Sequence, residues 1–163
     1  MSKRTWKAAI LTLVLVTAAL VWAVLAQADD ERGQPVRGGG TSIVAGGMGA
    51  PTFTPITTKF AFFWRDGQGR FECLALAPSA SAGSAGSGNF DTNIMYVTGK
   101  ITSAQIQDQT ATLKGSATVT GAGAGTNRAF TFTVTRGGTG ATLVLDVSGL
   151  TFNETVLEGQ ITF

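Results

Sequence analysis

The stretch that indicates the fold most strongly is residues 110–136, TATLKGSATVTGAGAGTNRAFTFTVTR. In its first part small or apolar residues alternate with polar ones, so that Ala111, Leu113, Gly115, Ala117 and Val119 share one face. In its last part Phe130, Phe132 and Val134 alternate with threonines. Alternation with a period of two is typical of strands buried on one side, and the glycine-rich segment between the two parts is typical of a turn. The stretch therefore predicts two antiparallel strands.

The same alternation continues in both directions from this hairpin. Downstream, residues 141–147 place Leu143, Leu145 and Val147 together, and the closing VLEGQITF places Leu157, Gly159, Ile161 and Phe163 on one face. Upstream, shorter strand candidates lie at 42–46, 57–64, 70–77, 90–98 and 99–106. No helical period of useful length occurs beyond residue 40. We therefore predict an all-β fold, an antiparallel barrel or a two-layer sandwich of eight to nine strands.

Residues 57–76, TTKFAFFWRDGQGRFECLAL, combine aromatic and charged residues with the single cysteine. The favoured interpretation is a core hairpin, in which Phe60, Phe62 and Trp64 share one face and Phe71 and Cys73 lie on one face of the partner strand. Asp66-Gly67-Gln68-Gly69 would connect the strands. The alternative is a ligand-binding rim, with Trp64 as a stacking platform and Arg65, Arg70 and Glu72 as polar contacts.

The first 28 residues have the layout of a secretory signal peptide. A basic start, MSKRTWK, precedes an uncharged apolar run at 8–25 and the small-x-small triplet Ala26-Gln27-Ala28. This layout predicts cleavage after Ala28 and a secreted, periplasmic or cell-surface location, with no membrane span left after cleavage. An uncleaved anchor is the alternative, because 18 apolar residues can just cross a bilayer. Residues 29–40 then read as a flexible linker, and 41–163 as a single all-β domain.

Charge and residue types exclude several functions. From residue 29 on there are nine Lys plus Arg against ten Asp plus Glu, which leaves no basic face for nucleic acid. The chain has no His and one Cys, which excludes a Ser-His-Asp triad, the common zinc sites and an intrachain disulfide. Cys73 is interpreted as a small buried hydrophobe, with a free thiol that pairs with another chain as the alternative. We predict no catalytic residue, no metal site and no cofactor.

A carboxylate pair for glycoside hydrolysis remains formally open, but nothing in the sequence brings two of the acids together. The acids considered are Asp66, Glu72, Asp91, Asp108, Asp146, Glu154 and Glu158.

The order of short motifs resembles the post-COAP type of bacterial exported β domain over roughly residues 38–163. The motifs are KFAFFW followed by a glycine turn and RFECLAL, then VTGKITSAQIQDQTATLKGSATVTG, then RAFTFTVTRGGTGATLVLDV, and a final EGQITF. Such domains often have acidic residues around the turn after the F-x-F-x-V strand, whereas this chain has Arg136 and Ala141 there. The resemblance implies a secreted or surface-attached accessory domain, and it implies no activity.

Three functions follow as expectations. The leading one is a secreted or cell-surface β module with a structural, adhesive or surface-assembly role toward an unknown surface or protein partner. The second is a small barrel that carries an apolar ligand, since Ala111, Gly115 and Ala117 could leave room inside. The third is an outer-membrane barrel, suggested by the terminal Phe163. If the last strand were an exposed edge, the module could also form homo-oligomers by strand addition.

Overall fold

The structure is a computed structural model that describes residues 34–46, 54–79 and 89–163. Within these ranges it contains eight strands in chain order: β1 (Val36–Val44), β2 (Thr57–Arg65), β3 (Gln68–Pro78), β4 (Phe90–Gln107), β5 (Thr110–Gly121), β6 (Gly125–Thr135), β7 (Thr142–Val147) and β8 (Leu150–Thr162). Across the described ranges no helix is long and apolar enough to cross a membrane. The predicted signal peptide at 1–28 lies outside the described residues.

The eight strands form one closed antiparallel barrel in which each strand pairs with its sequence neighbours. The barrel closes where β1 pairs with β8, as in the pairs Arg37 with Thr162 and Gly40 with Gly159. The all-β prediction is therefore confirmed, and of its two architectures the barrel is the one observed, with eight strands. Because β8 is hydrogen-bonded to both β7 and β1, strand addition at this strand would require one of those pairs to open.

Tight turns set the register at one end of the barrel. Asp66 and Gly67, both with positive φ, form a two-residue connection between Arg65 and Gln68. Two consecutive residues with positive φ are what a type I′ hairpin turn requires, and this turn matches the twist of the flanking strands. The predicted hairpin at 57–76 is thus present, and its turn is shorter than the four residues expected.

The barrel interior is filled with side chains, as eight strands dictate. The largest buried groups are phenylalanines, among which Phe71 is only 1% exposed. Its ring centroid is 4.7 Å from that of Phe132 and 5.1 Å from that of Phe130, and Phe132 meets the edge of Phe62 at 5.3 Å. Contacts of this kind stabilise by about 0.5–1.5 kcal/mol each beyond the burial of the rings.

The small residues on β5 fit these large rings. Gly115 lies directly opposite Phe130 in the β5–β6 pair. A Cβ atom at Gly115 would lie 1.9 Å from the carbonyl oxygen of Lys100 and 2.9 Å from Cε1 of Phe130. The missing side chain therefore makes room for an aromatic ring and for a close approach of β4, and it leaves no space at this position for a ligand.

Three sequence interpretations need correction. Residues 36–40 were assigned to the linker, but they are the first part of β1, where glycines allow the backbones of β1 and β8 to approach closely. The candidates 90–98 and 99–106 are one long strand with a register shift after Ile101. Leu157 was placed on the apolar face of the last strand, but it is 47% exposed. The β1–β8 register shifts between Thr41 and Ser42, and at this irregularity the alternation of inward and outward residues along β8 changes sides.

Candidate functional site

An open groove of about 680 Å³ crosses the outer face of β2, β3, β4 and β5. We call it the outer groove and define it by its outward-facing residues Ala61, Phe63, Arg70, Glu72, Thr98, Lys100, Ser116 and Thr118, together with Asn127 at the start of β6. These positions alternate with the buried residues of the same strands, so the period-two pattern that fills the core also builds the groove.

One row of the groove runs straight across four strands. Phe63 pairs with Arg70, Arg70 with Lys100, and Lys100 with Ser116. At about 4.8 Å per strand, this row spans about 14 Å. It begins with an aromatic ring that is 47% exposed, continues with two cations and ends with a hydroxyl group.

The two cations in this row stand directly opposite each other, and like charges in such a pair destabilise a sheet. Within the described ranges the one salt bridge joins Arg65 to Asp66 at 3.4 Å. Neither Arg70 nor Lys100 therefore has a carboxylate within ion-pairing distance in the part of the chain that the structure covers. Local arrangements that cost stability without a visible gain are concentrated at functional sites in proteins.

The second row contains the carboxylate of the groove. Ala61 pairs with Glu72, and Glu72 pairs with Thr98. The hydroxyl group of Tyr96, one position further along the outer face of β4, donates a hydrogen bond to Glu72. This hydrogen bond raises the pKa of Tyr96, because ionisation would remove the donated hydrogen beside a negative charge. Glu72 is thus hydrogen-bonded to a neutral partner, and among the described residues it forms no salt bridge with Arg70 or Lys100.

The residues of the predicted rim do not all come together. Arg70 and Glu72 lie in the outer groove, whereas Arg65 is exposed beside the turn and pairs with Asp66. Trp64 points the other way and packs partly buried against the core, where its indole nitrogen is buried without a hydrogen-bond partner among the described residues. The exposed aromatic residue is its neighbour Phe63, which sequence reasoning missed, although the alternation of Phe60, Phe62 and Trp64 already required Phe63 to face outward.

A second polar group lies inside the barrel. Glu154 of β8 is only 4% exposed, and its carboxyl oxygen Oε2 accepts hydrogen bonds from the hydroxyl groups of Ser42 and Thr58, which also contact each other. Burial raises the pKa of Glu154, while the two hydroxyl groups act in the opposite direction. Burial also raises the pKa of the neighbouring Cys73 thiol, and the charge of Glu154 adds to this effect.

The buried position of Cys73 agrees with its interpretation as a small hydrophobe, because it is 2% exposed inside the core. A raised pKa keeps the group as a thiol, which is neither a good nucleophile nor a good metal ligand. Among the described residues no group of three or more Cys, Asp or Glu side chains is placed to hold a metal ion. Of the carboxylates considered for glycoside hydrolysis, Glu154 and Glu72 are separated by the barrel wall, since Glu154 faces inward and Glu72 outward.

Comparisons with protein-family models, with curated proteins and with solved structures found no match to the chain.

Proposed function

We propose that this chain is an exported β-barrel module with an adhesive role at a cell surface, that it has no catalytic activity, and that the outer groove is its contact surface. The observation that carries the proposal is the row of Phe63, Arg70, Lys100 and Ser116 on the outside of a barrel with a filled interior. Exposed aromatic and arginine side chains are the residue types enriched where proteins bind partners. The signal-peptide pattern of residues 1–28 supports export.

Carriage of an apolar ligand receives less support. The small residues of β5 that suggested a cavity lie against rings from the neighbouring strand, as Gly115 does against Phe130. The stacked and tilted rings of Phe71, Phe130 and Phe132 occupy the centre of the barrel. A carrier of this size would need that space for its ligand.

An outer-membrane barrel receives less support as well, because its lipid-facing surface would have to be apolar. Here the outer face carries charged side chains well inside the strands, among them Lys59, Glu72, Lys100 and Lys114. Most of the aliphatic and aromatic residues of the same strands point inward, and the exposed exceptions are Phe63, Phe90 and Ile106. A charged side chain at the level of the membrane centre costs about 2–4 kcal/mol in such barrels.

The proposal can be tested by cosedimentation with cell envelopes. The full chain would be exported from a bacterial host, purified, labelled and mixed with envelope fragments. We expect the wild-type protein to sediment with the fragments and Phe63→Ala to lose most of this binding. The matched control is Leu157→Ala, because Leu157 is also 47% exposed but lies on β8, outside the groove. Equal sedimentation of both variants and the wild type would contradict the assignment of the contact surface.

A further inference from the structure

We propose that the outer groove binds an acidic polysaccharide, with Arg70 and Lys100 contacting carboxylate groups of the polymer and Phe63 packing against the apolar face of a sugar ring. The inference rests on the proposed function, since it names the class of ligand for the same surface. It starts from the order of the chemical groups along the row and from the charge of the surrounding face.

The shape of the row fits a chain-like ligand. Phe63, Arg70, Lys100 and Ser116 lie on four consecutive strands at equivalent positions, so their side chains form a line of about 14 Å perpendicular to the strands. The groove is open, and the four residues of the row are spread along its length, whereas the polar groups of a small-molecule site converge. A polymer that lies across the strands can contact all four positions in sequence.

The charge of the row requires an anionic ligand. Arg70 and Lys100 lie directly opposite each other in the β3–β4 pair. No carboxylate among the described residues forms a salt bridge with either of them. A carboxylate placed between them would remove the repulsion and accept charge-assisted hydrogen bonds from both. The guanidinium group of Arg70 also offers two parallel donors that match the geometry of a carboxylate.

The wider outer face adds to this preference. Lys59 and Lys114 also project from the outer faces of β2 and β5, one on each side of the groove. The carboxylate within the groove, Glu72, is engaged by the hydroxyl group of Tyr96. An acidic polymer therefore meets more positive than negative charge along its path, although residues 29–163 as a whole carry one more acidic than basic residue.

The remaining groove residues are suited to sugar hydroxyl groups. Thr98, Thr118 and Ser116 present hydroxyl groups that can donate and accept, and Asn127 presents an amide. Phe63 provides a flat apolar surface beside the small Ala61 side chain, two positions away on the same face of β2. One aromatic ring among hydroxyl groups fits the mixed character of a sugar chain better than it fits a lipid surface, which would require several large apolar contacts.

The test is affinity electrophoresis of the exported full chain in native gels that contain polygalacturonate, with neutral dextran as the reference polymer. We expect polygalacturonate, but not dextran, to retard the wild-type protein. Arg70→Gln and Lys100→Gln should each weaken binding by about tenfold or more, because each removes a charge-assisted hydrogen bond. The matched control Arg136→Gln removes one positive charge from the connection between β6 and β7, outside the groove, and it should bind like the wild type.

Several results of these experiments would overturn the inference. It fails if polygalacturonate retards no protein, or if all three variants are retarded as strongly as the wild type. It also fails if the chain prefers phosphatidylglycerol vesicles or a nucleic acid to the polymer in competition. Envelope binding that persists in the cosedimentation experiment while polygalacturonate binding is absent would overturn the ligand class and leave the adhesive function standing.

Discussion

Replacing Gly38 by Ala should destabilise the barrel through the ring of Phe62. A Cβ atom at residue 38 would lie 2.7 Å from Cε1 and 2.8 Å from Cζ of this ring. The ring would have to move by about 0.8 Å to restore an ordinary carbon–carbon separation of about 3.5–4.0 Å. It cannot move freely, because it packs in a T-shaped contact against the ring of Phe132 at a centroid distance of 5.3 Å.

The expected magnitude follows from two opposing effects. Overpacking of a close-packed core costs about 1–3 kcal/mol. Removing the backbone freedom of a glycine in a strand offsets about 0.5–1 kcal/mol of this cost. The free energy of unfolding of Gly38→Ala should therefore fall by about 1 kcal/mol, the centre of a range of about 0–2.5 kcal/mol.

A double-mutant cycle isolates the contact. Leucine at residue 62 lacks the two ring atoms that the new methyl group would strike, so Gly38→Ala should be much less destabilising in a Phe62→Leu background, where the backbone oxygen of Gln160 at 3.0 Å is the remaining close contact. The coupling energy between the two substitutions should then be about 1 kcal/mol, in the range measured for residues in direct contact. Denaturant unfolding of the four proteins, followed by circular dichroism, measures it.

The control substitution is Gly39→Ala, one residue along β1 and on the opposite face. Its nearest neighbour would be the carbonyl oxygen of Phe60 at 3.3 Å, so its unfolding free energy should stay within about 0.5 kcal/mol of the wild type. If Gly38→Ala is no less stable than Gly39→Ala, or if the coupling is close to zero, the glycine does not serve to accommodate the ring and the reasoning is refuted.

Three further predictions concern titratable groups. Glu154→Gln should flatten the pH dependence of stability and become more stable than the wild type as the pH rises from about 4.5 toward neutrality. Denaturant midpoints measured at several pH values test this prediction, and parallel curves for the two proteins would contradict it. Cys73 should resist a thiol reagent in the folded protein and react fully in denaturant, so rapid labelling without denaturant would be the contrary result. Glu72→Gln should lower the pKa of Tyr96, which ultraviolet titration of the single tyrosine can follow; an unchanged titration would refute the hydrogen bond.

The sequence predicted the interior of the barrel well because alternation reports directly on which side a residue faces. The buried positions of Phe60, Phe62, Phe71, Phe130 and Phe132 all follow from a period of two. Alternation is a property of each strand alone, however, and a closed barrel and a sandwich can have the same pattern in every strand. What decided between them was the pairing of the first and last strands, which no local pattern reports.

The first strand was read as a linker for a physical reason. Glycine-rich segments are typical of flexible linkers, and residues 36–40 contain three consecutive glycines. In the barrel, Gly40 lies opposite Gly159, and a Cβ atom at Gly40 would lie 2.0 Å from the carbonyl oxygen of Glu158. Gly40 and Gly159 are therefore required by the close approach at the seam. This need becomes visible only when both strands are seen together.

The outer groove was predictable in its residues but not in its geometry. Arg70 and Glu72 were among the polar contacts expected of the alternative ligand-binding rim, and both lie in the groove. Lys100 could not be joined to them, because the register of β3 against β4 is not contained in either strand and shifts after Ala75. The opposed cations that define the candidate site are thus a consequence of register.

Glu154 was the least predictable residue, and its surroundings explain why it can be buried. Three oxygen atoms, from Ser42, Thr58 and Glu154, are in mutual hydrogen-bonding contact. Both hydroxyl groups donate to the carboxyl oxygen, which favours the ionised carboxylate, whereas burial favours the neutral acid and has the larger effect on the pKa of Glu154. Since the folded state then holds a proton that the unfolded state releases above its ordinary pKa, this group favours folding at acidic pH and disfavours it as the pH rises through its folded-state pKa.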